Sequence, residues 1–280
     1  MSALYRPALA AIVLTGLTLQ FSAKVVAADL FPDKNLTAAV RDGLKKGEKD
    51  ELKEEDLKNL YFLMGKGKKI ANLAGLEKCL NLASIDLANN DIQDLKPLAG
   101  LKNVQTLDLS ANKISDVAPL AGLEKLQYLQ LDKNQIEKLD SLKDLKKLSS
   151  LYLSHNKVKS LAGLSGLEKL VSLYLSHNEI TDLSPVRGLK KLENLDVRHN
   201  AISDLAALEQ LTELRYTLLN DNKITDLTIL VTMAQRDAAG EKRFAPFWRV
   251  FLKGNPLSDA AKGAQIEQLK KLGVRIDPEN

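Results

Sequence analysis

Residues 148–158 read Leu-Ser-Ser-Leu-Tyr-Leu-Ser-His-Asn-Lys-Val, and the same pattern recurs along most of the chain. The asparagine of this stretch has counterparts in both directions along the chain, always at the same spacing. The set comprises Asn90, Asn112, Asn134, Asn156, Asn178, Asn200 and Asn222. Self-similarity at a fixed period of about 20–50 residues is typical of a solenoid, in which each repeat packs only on its neighbours. The sequence therefore predicts a stacked repeat fold.

Apolar residues occupy fixed places around each asparagine. Before Asn156, Leu151 and Leu153 alternate with polar neighbours, which is the period-two pattern of a short strand with one buried face. Stacked repeats would pair these strands into a parallel sheet, with adjacent strands ~4.8 Å apart. The leucines that follow, such as Leu161 and Leu164, are three residues apart and favour a 3₁₀ or irregular return segment. Prolines seven residues after the asparagine fit the first turn of that segment, at Pro97, Pro119 and Pro185.

The recurring asparagine is predicted to be structural. The chain turns inward after each strand, which buries backbone N–H and C=O groups that strand pairing does not satisfy. A carboxamide carries two donors and an acceptor, so stacked asparagines can bond these groups in neighbouring turns. We therefore expect the seven asparagines to form a buried column, called the asparagine ladder below, with no role in binding a ligand.

The pattern Leu-x-x-Leu-x-Leu-x-x-Asn-x-Ile/Leu/Val resembles the signature of leucine-rich repeats. Its 22-residue length resembles the short subclass of internalin-like and phosphatase-regulator-like proteins, and the resemblance covers roughly residues 30–280. Residues 31–36, with a predicted helix through Leu44, are similar to the helical N-terminal cap of internalins. The resemblance implies an α/β leucine-rich-repeat solenoid with a curved, parallel concave sheet, a 3₁₀ or irregular convex side and a helical cap at each end. It also implies a secreted or surface bacterial protein that binds other proteins through the concave sheet.

The first 28 residues differ from the rest of the chain. Arg6, an apolar run at residues 8–19 and small residues at 26–28 are the features of a secretory signal peptide. The run is shorter than the ~20 residues of a membrane-spanning helix. We therefore expect export to the periplasm, the cell surface or the medium. Lys24, close to the cleavage site, leaves an uncleaved anchor as the alternative.

The remaining chain divides into a helical N-terminal cap at residues 29–59, about nine repeats at 60–257 and a helical C-terminal cap at 258–280. The first repeat is degenerate, since Lys68 stands where an asparagine is expected. The last repeat keeps the apolar positions of the pattern. Its asparagine, however, lies one and a half repeat lengths after Asn222 instead of one. Its residues are Phe247, Val250, Leu252, Asn255 and Leu257.

The irregular spacing places an insertion within residues 228–246. We predict a short helix ending at Gly240, located on the convex side, with a functional loop as the alternative. After the last repeat, residues 259–272 have an amphipathic pattern that predicts a helix stopped by Gly273, with Val274 and Ile276 closing the cap.

Composition argues against several functions. Lys and Arg number 40 against 36 Asp and Glu, and the net charge of +4 lacks the clustered basic excess of a nucleic-acid binder. No nucleophile elbow or phosphate-binding glycine loop is present, so we predict neither catalysis nor a cofactor. Cys79, the single cysteine, occupies a leucine position of the repeat and is predicted to be a small buried hydrophobe.

Three histidines directly precede ladder asparagines, at His155, His177 and His199. Adjacent turns would bring them into one column with neighbours ~5 Å apart, and three imidazoles can bind zinc. A straight column points its rings in parallel, however, whereas a metal needs convergent ligands. We therefore predict no metal site and retain these histidines only as weak candidates.

Tyrosines occupy strand positions whose side chains point away from the core. They are Tyr128, Tyr152, Tyr174 and Tyr216. Asp196 and Arg198 take equivalent outward positions and would set the polarity of this surface. Tyrosine and arginine are enriched at the centres of protein–protein interfaces. We predict a monomer that binds a protein or peptide on the concave face; an envelope-associated structural or glycan-binding protein is the alternative.

Overall fold

A computed structural model describes residues 30–240 and 242–277; the signal-peptide prediction for residues 1–28 lies outside them. In the described residues, ten strands form one parallel sheet in which each strand pairs with the next along the chain. This topology confirms the predicted leucine-rich-repeat solenoid. Strands β1 to β10 are Phe62–Met64, Ser84–Asp86, Thr106–Asp108, Tyr128–Gln130, Ser150–Tyr152, Ser172–Tyr174, Asn194–Asp196, Tyr216–Leu218, Arg249–Phe251 and Arg275–Asp277.

Helical segments form the return side and the ends. Helix α1 (Lys34–Gly43) precedes the sheet, α2 (Thr228–Ala239) lies between β8 and β9, and α3 (Ile266–Lys271) precedes β10. No helix in the described part of the chain is both long and apolar enough to cross a membrane. Short 3₁₀ helices occupy Glu54–Asn59, Leu76–Lys78, Lys96–Leu98, Ala118–Gly122, Asp140–Leu142, Ala162–Leu164, Ser184–Gly188, Ala206–Gln210 and Ala245–Phe247.

The strand register follows the repeat length. Leu129 of β4 pairs with Leu151 of β5, which in turn pairs with Leu173 of β6, so each step along the sheet advances by one full repeat. These central strand residues are fully buried, whereas the residues on either side of them point to the opposite face. Because the register never slips, chemically equivalent positions form straight columns across the sheet.

Gly163 marks the tightest approach between two turns on the return side. A β-carbon at this position would lie 2.1 Å from the Leu139 carbonyl oxygen and 2.5 Å from its carbon. Both are backbone atoms, which cannot move aside as a flexible side chain can. The neighbouring repeats place Ser141 and Pro185 at the equivalent position, so the restriction does not apply to every turn.

We expect Gly163→Ala to lower the free energy of unfolding by about 1–3 kcal/mol, because the added methyl group must push two turns apart. Gly100→Ala is the matched control, since nothing lies within 4 Å of a β-carbon there. The control should change stability by less than about 1 kcal/mol. Urea denaturation of both variants measures the difference; equal midpoints would show that the turns are less tightly packed than described.

Each amide of the asparagine ladder bonds its own turn and the preceding one. Asn156 Oδ1 accepts a hydrogen bond from the backbone N–H of Ile136, at 3.0 Å. Asn156 Nδ2 donates to the carbonyl oxygens of Leu131 in the preceding repeat and Leu153 in its own, at 3.0 and 2.9 Å. The pattern recurs at every ladder position. The ladder therefore reaches backward along the chain and never forward.

This direction explains the two ends of the ladder. Lys68 replaces the first asparagine, where no earlier repeat exists to be bonded, while Ile70 N–H of that repeat is satisfied by Asn90 Oδ1 at 2.9 Å. At the other end, Asn255 satisfies Ile224 N–H at 3.1 Å. The next backbone N–H of this type belongs to Leu257 and donates to the Asn255 carbonyl oxygen at 2.9 Å. No further asparagine is required.

The N-terminal cap is fastened by one carboxylate. Oδ1 of Asp33 caps α1 by accepting from the backbone N–H groups of Asn35 and Leu36, at 2.8 and 3.0 Å. Its Oδ2 accepts from the backbone N–H groups of Ala71 and Asn72 in the first repeat, at 2.9 and 3.1 Å. These four bonds lower the pKa of Asp33 against the opposing effect of its burial, which is the largest single influence.

The insertion between β8 and β9 forms α2, which packs against the 3₁₀ helix Ala206–Gln210 and against α3 on the return side. The chain then enters β9 by a route that the sequence pattern does not reveal. Phe247, predicted to fill a buried position of the last repeat, is 65% exposed. Trp248, the next residue, is fully buried instead. The prediction for Phe247 was wrong. It came from counting residues back from Asn255, which assumes that the inserted segment enters the strand along the same path as a regular return segment.

Trp248 is accommodated by a change in the neighbouring repeat. Thr217 of β8 occupies the central strand position that Leu195 occupies in β7. Its hydroxyl oxygen accepts a hydrogen bond from Trp248 Nε1 at 2.8 Å, and both side chains are fully buried. The polar residue in an otherwise apolar column therefore has a direct physical reason, since a buried indole N–H needs an acceptor.

The C-terminal helix predicted at residues 259–272 is present, but its hydrogen bonding widens to a π pattern over Ala261–Gln265 before α3 begins. Gly273 follows it with a φ of 93°, a conformation suited to glycine. The segment expected merely to close the cap then forms β10, which pairs in parallel with β9. The sheet thus extends one strand beyond the last recognisable repeat.

Candidate functional site

The outward residues of the ten strands form one continuous surface, called the sheet face below; it is the face predicted to be concave. Each strand contributes its first and third residues, and the residue two places before each asparagine adds a third column. Because strand neighbours lie ~4.8 Å apart, side chains in one column are in contact range of each other. The identities along these columns determine what the sheet face can bind.

Three of the four predicted tyrosines meet at the centre of the sheet face. The rings of Tyr152 and Tyr174 are stacked, with centroids 4.7 Å apart and an interplanar angle of 4°. Tyr128 approaches Tyr152 at 5.3 Å with a tilt of 44°, and its hydroxyl donates a hydrogen bond to Gln130 Oε1. All three are half-buried. We call these three residues the tyrosine stack.

Tyr216, the fourth predicted tyrosine, lies apart from the stack on β8, two strands beyond Tyr174. It is 42% exposed, and the guanidinium of Arg249 lies over its ring, 5.8 Å from the centroid. This distance allows a cation–π interaction. Tyr216 therefore belongs to a second, cationic region of the sheet face.

Asp196 is not presented to solvent as the sequence suggested. Its side chain is only 3% exposed because Arg198, two residues later on the same face, covers it. Arg198 Nε and Nη2 donate to Asp196 Oδ1 and Oδ2 at 2.9 and 2.7 Å, a bidentate pair. The hydrogen bonds and charge of Asp196 raise the pKa of Arg198. Arg198, whose side chain is 41% exposed, is the only member of this pair that a partner can contact.

Three further carboxylates line the N-terminal half of the sheet face on β2, β3 and just after β4: Asp86, Asp108 and Asp132. Each is partly exposed, and one oxygen of each accepts a backbone N–H. Their negative charges add to the effects of burial and of Tyr152 in raising the pKa of Tyr128 to about 12. Burial, reinforced by Asp108, also raises the pKa of Asp132.

Other residues of the sheet face were missed by the sequence analysis. Phe62 and Met64, the outward residues of β1, are 64% and 58% exposed. Arg249 takes the corresponding place on β9. All three could have been found by counting six and four residues back from position 68 and from Asn255. The outward positions of the first repeat, where Lys68 replaces the asparagine, and the position six residues before Asn255 were not among those predicted to face outward.

The three histidines form a parallel stack at the edge of the sheet face. His155 and His177 have ring centroids 4.1 Å apart, and His177 and His199 are 4.0 Å apart, with interplanar angles of 12° and 18°. Each has a positive φ between 52° and 58°, a conformation in which histidine is over-represented. Among the described residues, no group of three or more His, Cys, Asp or Glu side chains is arranged to hold a metal ion. The rings lie face to face and do not converge on one point.

The central histidine should make stability depend on pH. Burial, followed by the charges of His155, His199 and Arg198, lowers the pKa of His177. The unfolded chain, with an ordinary histidine pKa of about 6.5, therefore binds its proton first as the pH falls. The stability contributed by the neutral imidazole of His177 is fully present above about pH 6.5, the pKa of an ordinary histidine. It is lost as the pH falls through the lowered pKa of the folded protein. We expect the melting temperature to drop further between pH 7 and 5 for the wild type than for His177→Asn.

Asparagine tolerates a positive φ and does not titrate in this range, so it isolates the imidazole. Thermal melts of the two proteins at matched ionic strength provide the measurement. An identical pH dependence would show that the stack does not resist protonation.

Cys79 is not available for chemistry. It is fully buried, and burial raises the pKa of its thiol to about 12. A thiol that remains protonated at neutral pH is a poor nucleophile and metal ligand. This environment matches that of the leucines which occupy the equivalent position in other repeats.

Comparison with known proteins agrees with this architecture. A leucine rich repeat family model matches residues 80–136, and a second model, for leucine rich repeats in two copies, matches residues 124–166, 146–188 and 168–210. No curated protein matches the chain. Solved structures do: internalin C2 from Listeria monocytogenes is 30% identical, with a TM-score of 0.72 over 83% of this chain and 96% of that one.

Two other internalin structures from Listeria monocytogenes show weaker likeness. An internalin described as inlF is 24% identical over 91% of this chain and 97% of its own, with a TM-score of 0.44. The functional domain of InlJ, described as including a cysteine ladder, is 22% identical over 86% of this chain and 59% of its own, with a TM-score of 0.49. The repeat models and the match to internalin C2 carry the assignment, and the chain belongs to the internalin-like family of leucine-rich-repeat proteins.

Proposed function

We propose that this protein is an exported, monomeric, non-enzymatic scaffold that binds a protein or peptide on its sheet face. The tyrosine stack supplies the central contact, and Tyr216 and Arg198 contribute on the C-terminal side. The observation that carries the proposal is the stack itself, three adjacent aromatic rings that the hydrophobic core does not use. Large aromatic side chains held in place beforehand contribute binding area at little entropic cost.

The stacking geometry favours a polypeptide over a glycan. A sugar ring binds an aromatic side chain by lying flat on its exposed face. Tyr152 and Tyr174 each cover one ring face of the other, and Tyr128 packs against Tyr152 at a tilt of 44°. The ring edges and hydroxyl groups of the stack suit apolar side chains and backbone carbonyl groups of a partner. The small net charge of +4 lacks the basic excess that binds a nucleic acid, and the carboxylates of the sheet face would repel phosphate groups.

Export rests on residues 1–28, whose composition is that of a signal peptide. Sequencing the N-terminus of the protein recovered from cell fractions tests this part of the proposal. A chain beginning near Ala28 or Asp29 outside the cytoplasm is the expected result. A chain that retains Met1 in the soluble cytoplasm contradicts it.

Binding is tested by capturing a partner on the immobilised protein and measuring its affinity for variants. Tyr152→Ala and Tyr174→Ala should each weaken binding at least about tenfold, as expected for a central anchor. Lys147→Ala and Lys191→Ala are the controls, since both lysines are exposed outside the sheet face. They should leave the affinity within a factor of about three.

Thermal melts of the four variants separate lost binding from lost folding. The opposite pattern, with binding lost in the lysine variants and kept in the tyrosine variants, would place the working surface on the convex side. Retention of glycan instead of protein would support the alternative of an envelope-associated, glycan-binding role.

A further inference from the structure

The sheet face carries charge of opposite sign at its two ends, with the tyrosine stack between them. We propose that the partner presents an extended segment whose cationic end lies over Asp86, Asp108 and Asp132 and whose anionic end lies over Arg249 and Lys253. Apolar side chains between these ends contact the tyrosine stack. This inference rests on the proposed function, because it specifies the chemistry of the partner that the same face binds.

Two carboxylates of the acidic end use only one oxygen each in local hydrogen bonds. Asp86 Oδ1 and Asp108 Oδ1 accept from the backbone N–H two residues later, and Asp108 Oδ1 also accepts from the Ser110 hydroxyl. Asp132 accepts from Ser154 N–H and from Gln130 Nε2. No lysine or arginine of the described chain forms an ion pair with any of the three, and this includes the exposed Lys66, which follows β1. Burial is the main cause of the raised pKa of neighbouring Tyr128, and the charges of these three carboxylates add to it.

The opposite end is cationic. Arg249 on β9 is partly exposed and held over Tyr216, and Lys253, two residues after β9, is exposed on the same face. Neither forms an ion pair with another described residue. Arg275 extends the positive charge onto β10, although Asp277 on that strand partly offsets it. Leu218 and Phe251 lie half-buried among these cations and give this end an apolar floor.

The two ends are too far apart to neutralise one another. Asp108 lies on β3 and Arg249 on β9, and six strand steps of ~4.8 Å separate them by ~29 Å. This distance exceeds the Debye length of ~8 Å at physiological ionic strength, so each end presents its own sign to an approaching molecule. An extended chain covers ~3.3 Å per residue, and a segment of about nine residues spans the gap.

The geometry of the sheet face determines the order of cationic, apolar and anionic residues along the partner segment. Arg198 and Asp196 neutralise each other between the tyrosine stack and the cationic end, so the charge changes sign across the stack. A partner of uniform charge would be attracted at one end and repelled at the other. A segment with separated charges and an apolar centre is complementary along its whole length.

Selection from a displayed library of random twelve-residue peptides on the immobilised protein tests the proposal. The expected result is enrichment of peptides in which a Lys/Arg block and an Asp/Glu block flank apolar residues, in either chain direction. An enriched peptide, resynthesised with a fluorophore, is then titrated with variants. Asp86→Lys/Asp108→Lys and Arg249→Glu/Lys253→Glu should each weaken its binding at least about tenfold at low salt, and less in 0.5 M NaCl.

The control is Glu168→Lys, which reverses an exposed charge outside the sheet face and should change the affinity less than about threefold. Enriched peptides without segregated charges, or charge-reversal variants that bind as the wild type does, overturn the proposed partner chemistry. If Tyr152→Ala still abolishes binding in that case, the sheet face remains the binding surface. If the tyrosine variants also bind normally, the proposed function fails as well.

Discussion

Trp248→Ala should lower the free energy of unfolding by about 3–5 kcal/mol, which is the usual cost of removing a large buried aromatic side chain. Trp248 is fully buried at the point where the insertion rejoins the sheet, and its ring also packs near Phe244 at a centroid distance of 5.2 Å. The cavity would lie between the last regular repeat and the C-terminal cap. Denaturant unfolding monitored by circular dichroism measures the loss, since the substitution removes the only tryptophan.

A double-mutant cycle separates the packing of Trp248 from its hydrogen bond. Thr217→Val leaves the indole N–H without an acceptor and should cost about 1–3 kcal/mol, although valine is more apolar. The double variant, Thr217→Val with Trp248→Phe, should lose much less stability than the sum of the two single variants, because neither polar group remains. Strict additivity of the two costs would mean that the hydrogen bond does not stabilise the fold.

Asn156→Leu should destabilise the protein by about 2–5 kcal/mol, even though leucine is favoured in a buried position. The substitution leaves Ile136 N–H without its partner in the core, and an unsatisfied buried group costs about 1–3 kcal/mol. It also removes one of the two side-chain hydrogen bonds to each of the Leu131 and Leu153 carbonyl oxygens, at about 0.5–1.5 kcal/mol per bond. These oxygens keep their bonds from Asn134 and Asn178. Urea denaturation gives the difference from the wild type.

Asn103→Leu is the matched control for this prediction. Its amide also donates to a backbone carbonyl of the preceding repeat, that of Leu80 at 3.0 Å, but at an exposed site where water can replace it. A loss below about 1 kcal/mol is expected there. Equal losses for Asn103→Leu and Asn156→Leu would show that burial does not give the ladder its importance.

The fold was predictable because its information is periodic. A strand position that recurs once in every repeat identifies the core, and Leu151 alone predicts the environment of Leu129 and Leu173. Prediction failed where the period is broken. Phe247 keeps the frame by counting, yet Trp248 is buried, since the path of the inserted helix determines which side chain reaches the core. Residues 275–277 lack a repeat pattern and still add a strand, because the edge of β9 offers unpaired backbone groups.

The site was predictable in position but not in its contacts. Outward strand positions placed Tyr128, Tyr152 and Tyr174 on one face, whereas the mutual stacking of their rings depends on rotamers that a sequence does not specify. The burial of Asp196 follows from a local relation, because residues two apart on a strand share a face and Arg198 is long enough to fold back over it. The direction of the asparagine ladder depends on how one turn is offset from the next, which only coordinates reveal.

That direction bears on how the chain is made. A polypeptide leaves the ribosome, or a translocation channel, with its N-terminus first. Each newly emerged turn delivers the asparagine that closes the turn before it, as Asn156 does for Ile136 and Asn178 for Val158. At any moment during synthesis, only the most recent turn lacks its asparagine partner. All earlier turns already have their ladder hydrogen bonds. The solenoid is therefore suited to fold one repeat at a time, from the N-terminus to the C-terminus, in the order in which it is translated.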